Sequence, residues 1–249
     1  MEQHLFVLAA AVALAVPGSA RAADGDRDAI KGRWSASLQG GTDIEVSGDY
    51  YDGAQGAVLG LPTSVEPGTY KDVYGSSFRG NLSLGYGVTR NVELFGRGGY
   101  YSAEAKPLQI GAAATLPLQA GFSRYKEWGA EAGVRYYFNP DLAFKPYVAG
   151  VAGLRFPSAA PVTLSVPAAS VVLSDVPFYD KSTVGVFGAD LGASYDVARN
   201  VAIGAEVGLR YQTKPSGIDT GLAGTGLDTI NDVASRWSVP ILGQVTFRF

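Results

Sequence analysis

Apolar residues return at every second position through most of this chain. The end of the sequence carries the pattern most plainly: Trp237, Val239, Ile241, Gly243, Val245, Phe247 and Phe249 alternate with Arg236, Ser238, Gln244, Thr246 and Arg248. Only Pro240 and Leu242 break it. A period of two sends alternate side chains to opposite faces of a strand. Seven earlier stretches repeat the scheme. In the first, Trp34, Ala36, Leu38 and Gly40 alternate with polar residues, and the alternation runs on through Thr42, Ile44 and Val46. Stretches 78–86, 92–100, 128–138, 144–154, 187–195 and 201–211 follow.

Three of the joints between these stretches are short and contain asparagine: Thr89-Arg90-Asn91, Asn139-Pro140-Asp141 and Ala198-Arg199-Asn200. The other four run to roughly twenty to thirty residues, and tight turns on one rim with long loops on the other is a membrane-barrel arrangement. The expected fold is all-β: an eight-stranded antiparallel up-and-down transmembrane β-barrel over residues 32–249, with three short periplasmic turns and four long extracellular loops.

Alternation alone does not say which face points inward, and a soluble barrel would bury the apolar one. Four features favour lipid outside. The apolar face has aromatics near both ends, with Tyr86, Tyr136, Phe144, Tyr195 and Phe249 at the turn rim and Phe78, Tyr100, Trp128, Tyr211 and Trp237 at the loop rim. No charge interrupts it in any strand. Eleven strand residues at about 3.3 Å, tilted by about 40°, cover roughly 28 Å, close to the apolar band of about 25 Å. The polar face carries both signs at mid-strand: Arg79, Arg97, Arg135, Lys145 and Arg210 against Glu93, Glu131, Asp190 and Glu206.

The amino-terminal residues read differently. An apolar run over 5–16, a Pro17-Gly18 break and Ser19-Ala20-Arg21-Ala22 form a secretory signal, expected over residues 1–22, with a polar lead-in over 23–31. A dozen or so apolar residues are too few to cross a bilayer as a helix, which takes about 20. The Asp24-Gly-Asp-Arg-Asp28 cluster lacks the turn glycine and closing glutamate of a calcium loop, so a solvated tail is the ordinary reading and no metal is expected. There is no cysteine, and the single histidine, His4, lies in the leader. A net charge of −3 argues against nucleic acid as a partner.

With the leader, the asparagine turns, the Lys145-Pro-Tyr-Val-Ala-Gly150 strand and the terminal Phe249, the chain resembles the small OmpA/opacity-type outer-membrane β-barrels of Gram-negative bacteria. The resemblance implies a cell outer membrane location, contact with outer-membrane lipid and lipopolysaccharide, and insertion by the barrel-assembly machinery, for which Phe249 would be the assembly signal. It implies no single activity, because one fold hosts many.

Catalysis is not expected. The barrel hydrolases and acyltransferases of such membranes resemble one another in using a histidine base, and the chain after the leader has none. Glu127 and Glu131 share a face and read as ion-pair partners for lumen arginines. Eight strands leave room for little beyond their own side chains. The nine charged residues Arg79, Glu93, Arg97, Glu131, Arg135, Lys145, Asp190, Glu206 and Arg210 are therefore expected to fill the lumen as a structural ion-pair network. A narrow pore or small apolar-ligand channel is the alternative. In the first long loop, Tyr50, Tyr51, Tyr70 and Tyr74 interleave with acidic residues, a composition that suits contact with a surface protein or glycan. The second and third loops carry further alternation, such as Val162, Leu164 and Val166, expected to extend hairpins above the membrane.

Overall fold

The computed structural model describes residues 30–58, 60–215, 222–231 and 235–249, so the expected leader and most of the lead-in lie outside the described residues. β1 (Trp34–Ser47) is the first long strand. The connection after it folds into β2 (Asp49–Tyr51), β3 (Ala54–Val58), β4 (Leu61–Val65), β5 (Gly68–Thr69) and one helical turn, α1 (Tyr70–Val73). β6 (Tyr74–Gly87) and β7 (Val92–Ala105) form the first tight hairpin. β8 (Leu108–Ala113) and β9 (Leu116–Phe122) occupy the second long connection, before β10 (Tyr125–Tyr137) and β11 (Phe144–Pro157). β12 (Ala160–Val166) and β13 (Val171–Tyr179) fill the third. β14 (Val184–Ala198), β15 (Val201–Gln212) and β16 (Arg236–Arg248) complete the chain.

The eight long strands close in the order β1-β16-β15-β14-β11-β10-β7-β6. Closure is made by β1, in which Leu38 lies opposite Val245 of β16 on one side and Leu82 of β6 on the other. Every backbone donor and acceptor in the ring can therefore pair with a neighbour, the condition for placing strands in hydrocarbon. The faces are reversed relative to a soluble barrel. Leu82, Trp128 and Leu191 are 67%, 63% and 61% exposed, whereas Glu93, Arg135 and Glu206 are 1%, 3% and 3% exposed. Aromatic pairs across neighbouring strands mark both rims of the apolar belt. Trp34 meets Tyr86 at 5.0 Å between ring centroids on the turn side, and Tyr100 meets Trp128 at 4.9 Å on the loop side. An apolar band between aromatic girdles around a polar interior defines an outer-membrane-type barrel, and this chain is one.

The long connections depart from the sequence expectation. They are not loops with isolated hairpin extensions. The first three supply a six-stranded antiparallel sheet, in the order β13-β12-β9-β8-β4-β3, which caps the loop rim. The fourth is stitched across it: Ala57 N–H donates to Thr225 O at 2.7 Å, Asp52 N–H to Ile230 O at 2.7 Å, and Asn231 Nδ2 to Phe178 O at 2.6 Å. Gly56 permits this approach, since a Cβ there would stand 2.0 Å from Thr225 O. The outer edge strand, β13, is blunted by Pro177 and by Asp175 with φ of 55°, which discourages pairing with another chain.

The cap has its own apolar core, and the tyrosines expected to serve surface contact are in it. Tyr50, Tyr51, Tyr70 and Tyr74 are all buried, Tyr50 completely. The rings of Tyr70, Tyr74 and Phe122 meet the Tyr50 ring edge-on at 4.9, 5.1 and 5.1 Å, and Tyr179 Oη donates to Tyr50 O at 2.5 Å. Edge-to-face packing of this kind stabilises a core beyond its buried area. Burial raises the Tyr50 phenol well above its ordinary pKa and that of Tyr70 to about 12, the latter against the opposing pull of Arg236.

Candidate functional site: the lumen and its junction with the cap

Alternate residues of every barrel strand point inward, so the polar parity of the sequence becomes a column of side chains. At the turn rim, Lys145 pairs with Asp196, which also accepts from Arg248 Nη1 at 2.7 Å. Above it, Glu93 accepts from Ser35 Oγ, from Arg135 Nη1 at 2.6 Å and from Tyr137 Oη at 3.1 Å. The Arg135 guanidinium lies between two rings, 4.6 Å from the centroids of both Phe95 and Tyr147. Gly192 makes room for the second ring: a Cβ there would come within 2.4 Å of Tyr147.

Arg97 is the hub at mid-barrel. Its Nε reaches Glu131 at 2.7 Å, Nη1 reaches Glu206 at 2.8 Å and Nη2 reaches Asp190 at 3.1 Å. Arg210 shares Asp190 at 2.6 Å, and Arg155 shares Glu131. On the β1 side the column is neutral, with Gln39 donating to Gln244 at 3.1 Å and Ser37 bonded to Thr246 at 2.8 Å. Toward the loop rim Arg79 pairs with Asp43 through two nitrogens, while Glu127 accepts from Arg155 and Arg236, each at 3.1 Å.

The column ends under the cap. Arg236 bonds Glu45 at 3.0 Å, and its guanidinium faces the rings of Tyr125, Tyr70 and Tyr101 at 4.8, 4.9 and 5.5 Å. A cation enclosed by carboxylates on one side and three tyrosine faces on the other is held by charge and by ring quadrupoles together. Tyr70 belongs to the cap, Tyr101 and Tyr125 to barrel strands that run up into it. Arg236 therefore ties the polar lumen to the aromatic core above.

The structure places all nine charged residues read from the sequence in the lumen, each in an ion pair. The partners differ in part from the expectation. Arg79 does not interlock with Glu93, Glu131, Asp190 or Glu206 but with Asp43 and, at 3.5 Å, Glu127; Lys145 takes Asp196. Asp43, Glu45, Glu127, Arg155, Asp196, Arg236 and Arg248 complete the network. Strand parity could have found several of them, since Asp43 and Glu45 continue the inward series of Ser35, Ser37 and Gln39, and Arg236 that of Ser238 and Gln244. Glu127 and Glu131 are both engaged by arginines, so neither is free to act as a base. Among the described residues, no group of His, Cys, Asp and Glu could hold a metal ion.

Phe249 lies on the lipid face at the turn rim, 68% exposed. Its N–H donates to Trp34 O and its carbonyl accepts from Trp34 N–H, both at 2.9 Å, so pairing around the ring extends to this residue.

No protein-family model matches the chain, and no curated protein matches it. Among solved structures it is similar to Neisserial surface protein A, with 15% identity and a TM-score of 0.45 over 88% of this chain and 98% of the other. It is also similar to Ail, the attachment invasion locus protein of Yersinia pestis (14%, 0.40, over 88% and 100%), and to outer membrane protein OprG of Pseudomonas aeruginosa (13%, 0.42, over 90% and 98%). Identities this low say nothing about activity. By its own register, girdles and burial, the chain has the fold of the small eight-stranded outer-membrane β-barrels.

Proposed function

We propose that this chain is a non-catalytic, sealed outer-membrane barrel whose role is structural and surface-presenting, carried by a rigid β-cap rather than by mobile loops. The observation that carries the reading is the continuous column from Asp196 at the turn rim to Arg236 beneath the buried tyrosines. A pore needs water along its axis, and here each level of the axis is occupied by paired side chains. The cap offers the outside an exposed acidic edge in Asp49, Asp52, Glu66 and Asp72, so recognition of a surface partner falls to these charges and not to the tyrosines. Refolded protein in planar bilayers is expected to give no steady conductance above the bare membrane. An ohmic channel would overturn the sealed-lumen reading in favour of a narrow pore.

Insertion by the barrel-assembly machinery belongs to the same proposal. Phe249→Ala should lower the amount of barrel in the outer membrane more than Phe78→Ala, although both remove one exposed lipid-face aromatic (68% and 57%). Interfacial packing alone predicts similar losses. Equal membrane levels at matched expression would make Phe249 an ordinary girdle residue.

A further inference from the structure

Residues 30–33, just ahead of β1, fold back across the turn-side mouth of the barrel. Arg33 N–H donates to Ile30 O at 3.1 Å, closing a turn whose third residue, Gly32, has a φ of 73°, a positive value that glycine supplies without strain. Gly32 N–H donates to Gly87 O at 2.7 Å and Gly87 N–H to Arg33 O at 3.0 Å, which pins this strap to the end of β6. The barrel makes room for it. Gly87 has the inward parity of Ser83 and Gly85, and a Cβ there would stand 1.8 Å from Ile30 O. The strap therefore occupies lumen space that a side chain at 87 would fill.

Ile30 is only 4% exposed, although it precedes the first strand, and it clusters with Tyr137 and Tyr147. These two lie opposite one another at the turn-side end of the β10–β11 pairing. Their hydroxyls are engaged in the column: Tyr137 Oη donates to Glu93 at 3.1 Å and Tyr147 Oη to Glu206 at 3.0 Å. That leaves the apolar bodies of the rings toward the mouth, and Ile30 covers them.

We propose that residues 30–33 are a displaceable stopper that seals the turn-side end of the lumen, with Ile30 as its plug. The proposal rests on the sealed-lumen reading and names the element that completes the seal on that side. Release of the strap breaks its two hydrogen bonds to β6 and exposes one isoleucine, but breaks no pairing in the closed ring. It can therefore open while the barrel stays folded. Water then reaches Tyr137 and the pair that Glu93 and Arg135 form just above it.

A single cysteine at Ser35, an inward residue bonded to Glu93, reports water at that level. In the refolded full chain in bilayers, its rate of reaction with a small water-soluble methanethiosulfonate is compared with that of a cysteine at exposed Arg199. With the strap intact, position 35 should react far more slowly than 199. Ile30→Asn should speed reaction at 35 by about tenfold or more, as expected when burial of one isoleucine no longer holds the strap down. Gly87→Ala, which leaves residue 30 untouched but fills the space under the strap, should do the same. Lys31→Gln, at an exposed position of the strap, should not. The heat-dependent gel shift should be the same in all three. Slow reaction at 35 in both Ile30→Asn and Gly87→Ala would overturn the stopper and leave the sealed lumen standing. Reaction at 35 as fast as at 199 with the strap intact would overturn the sealed lumen, and the stopper with it.

Discussion

Leu82→Arg is expected to leave little folded barrel in the membrane. Leu82 stands midway along β6 between Phe78 at the loop rim and Tyr86 at the turn rim, and is among the most exposed apolar residues of the wall. An arginine at that depth faces hydrocarbon with no partner, at a cost of about 2–4 kcal/mol, falling to roughly 0–1 near the interfaces. Leu191 occupies the same midpoint of β14 between Phe187 and Tyr195 and should behave alike. Leu84, one outward position closer to Tyr86, should tolerate arginine better. The fraction showing a heat-dependent gel shift after refolding into bilayers measures the series. Comparable, near-complete folding of Leu82→Arg and wild type would mean that the faces are reversed.

Arg97→Ala should be the most damaging change inside the lumen. It removes the one cation that Glu131, Asp190 and Glu206 share; Glu131 keeps Arg155 and Asp190 keeps Arg210, but Glu206 is left with Tyr147 Oη at 3.0 Å and Arg135 at 3.7 Å. Removing one partner of a buried pair costs about 3–5 kcal/mol, mostly from the charge left behind. Arg90→Ala is the contrast. Arg90 and Asp141 form a pair at 2.5 Å in the turns, but their side chains are 66% and 44% exposed, and such pairs contribute about 0–1 kcal/mol. Urea unfolding in lipid vesicles should separate the two variants clearly. Similar midpoints would mean that the lumen column is solvated and the ion pairs are incidental.

The barrel was legible because its information is local. Each strand carries its own parity, and short asparagine turns join three hairpins whose partners are adjacent in sequence. The lumen charges follow from the same parity: Arg97 and Glu131 stand at mid-strand, and Arg236 is on the polar face of the last strand, but parity does not show that a residue at the strand end has its partners in Glu45 and Glu127 and under the cap tyrosines. The cap as one sheet was not legible. The hairpins β8–β9 and β12–β13 lie in the second and third connections, as their alternation suggested, but the pairings that join them into one sheet, β4 with β8 and β9 with β12, link different connections, so no turn announces them. Its strands are short and carry Pro62, Pro117 and Pro161, which read as loop. Tyrosine hid the rest: its composition suits an exposed binding loop and a packed core equally, and only the packing of Tyr70, Tyr74, Phe122, Phe178 and Tyr179 around Tyr50 decides between them.

The central claim is that one side of every barrel strand meets lipid and the other meets a filled polar interior. The chain has no cysteine, so single cysteines can be introduced one at a time along β6 at Gly80, Asn81, Leu82, Ser83 and Leu84 and spin-labelled in bilayers. Collision rates with molecular oxygen, which concentrates in hydrocarbon, should be high at 80, 82 and 84 and low at 81 and 83, with a water-soluble nickel complex excluded from all five. Oxygen access without a period of two, or nickel access at 81 and 83 equal to that of an exposed cap residue, would contradict the account.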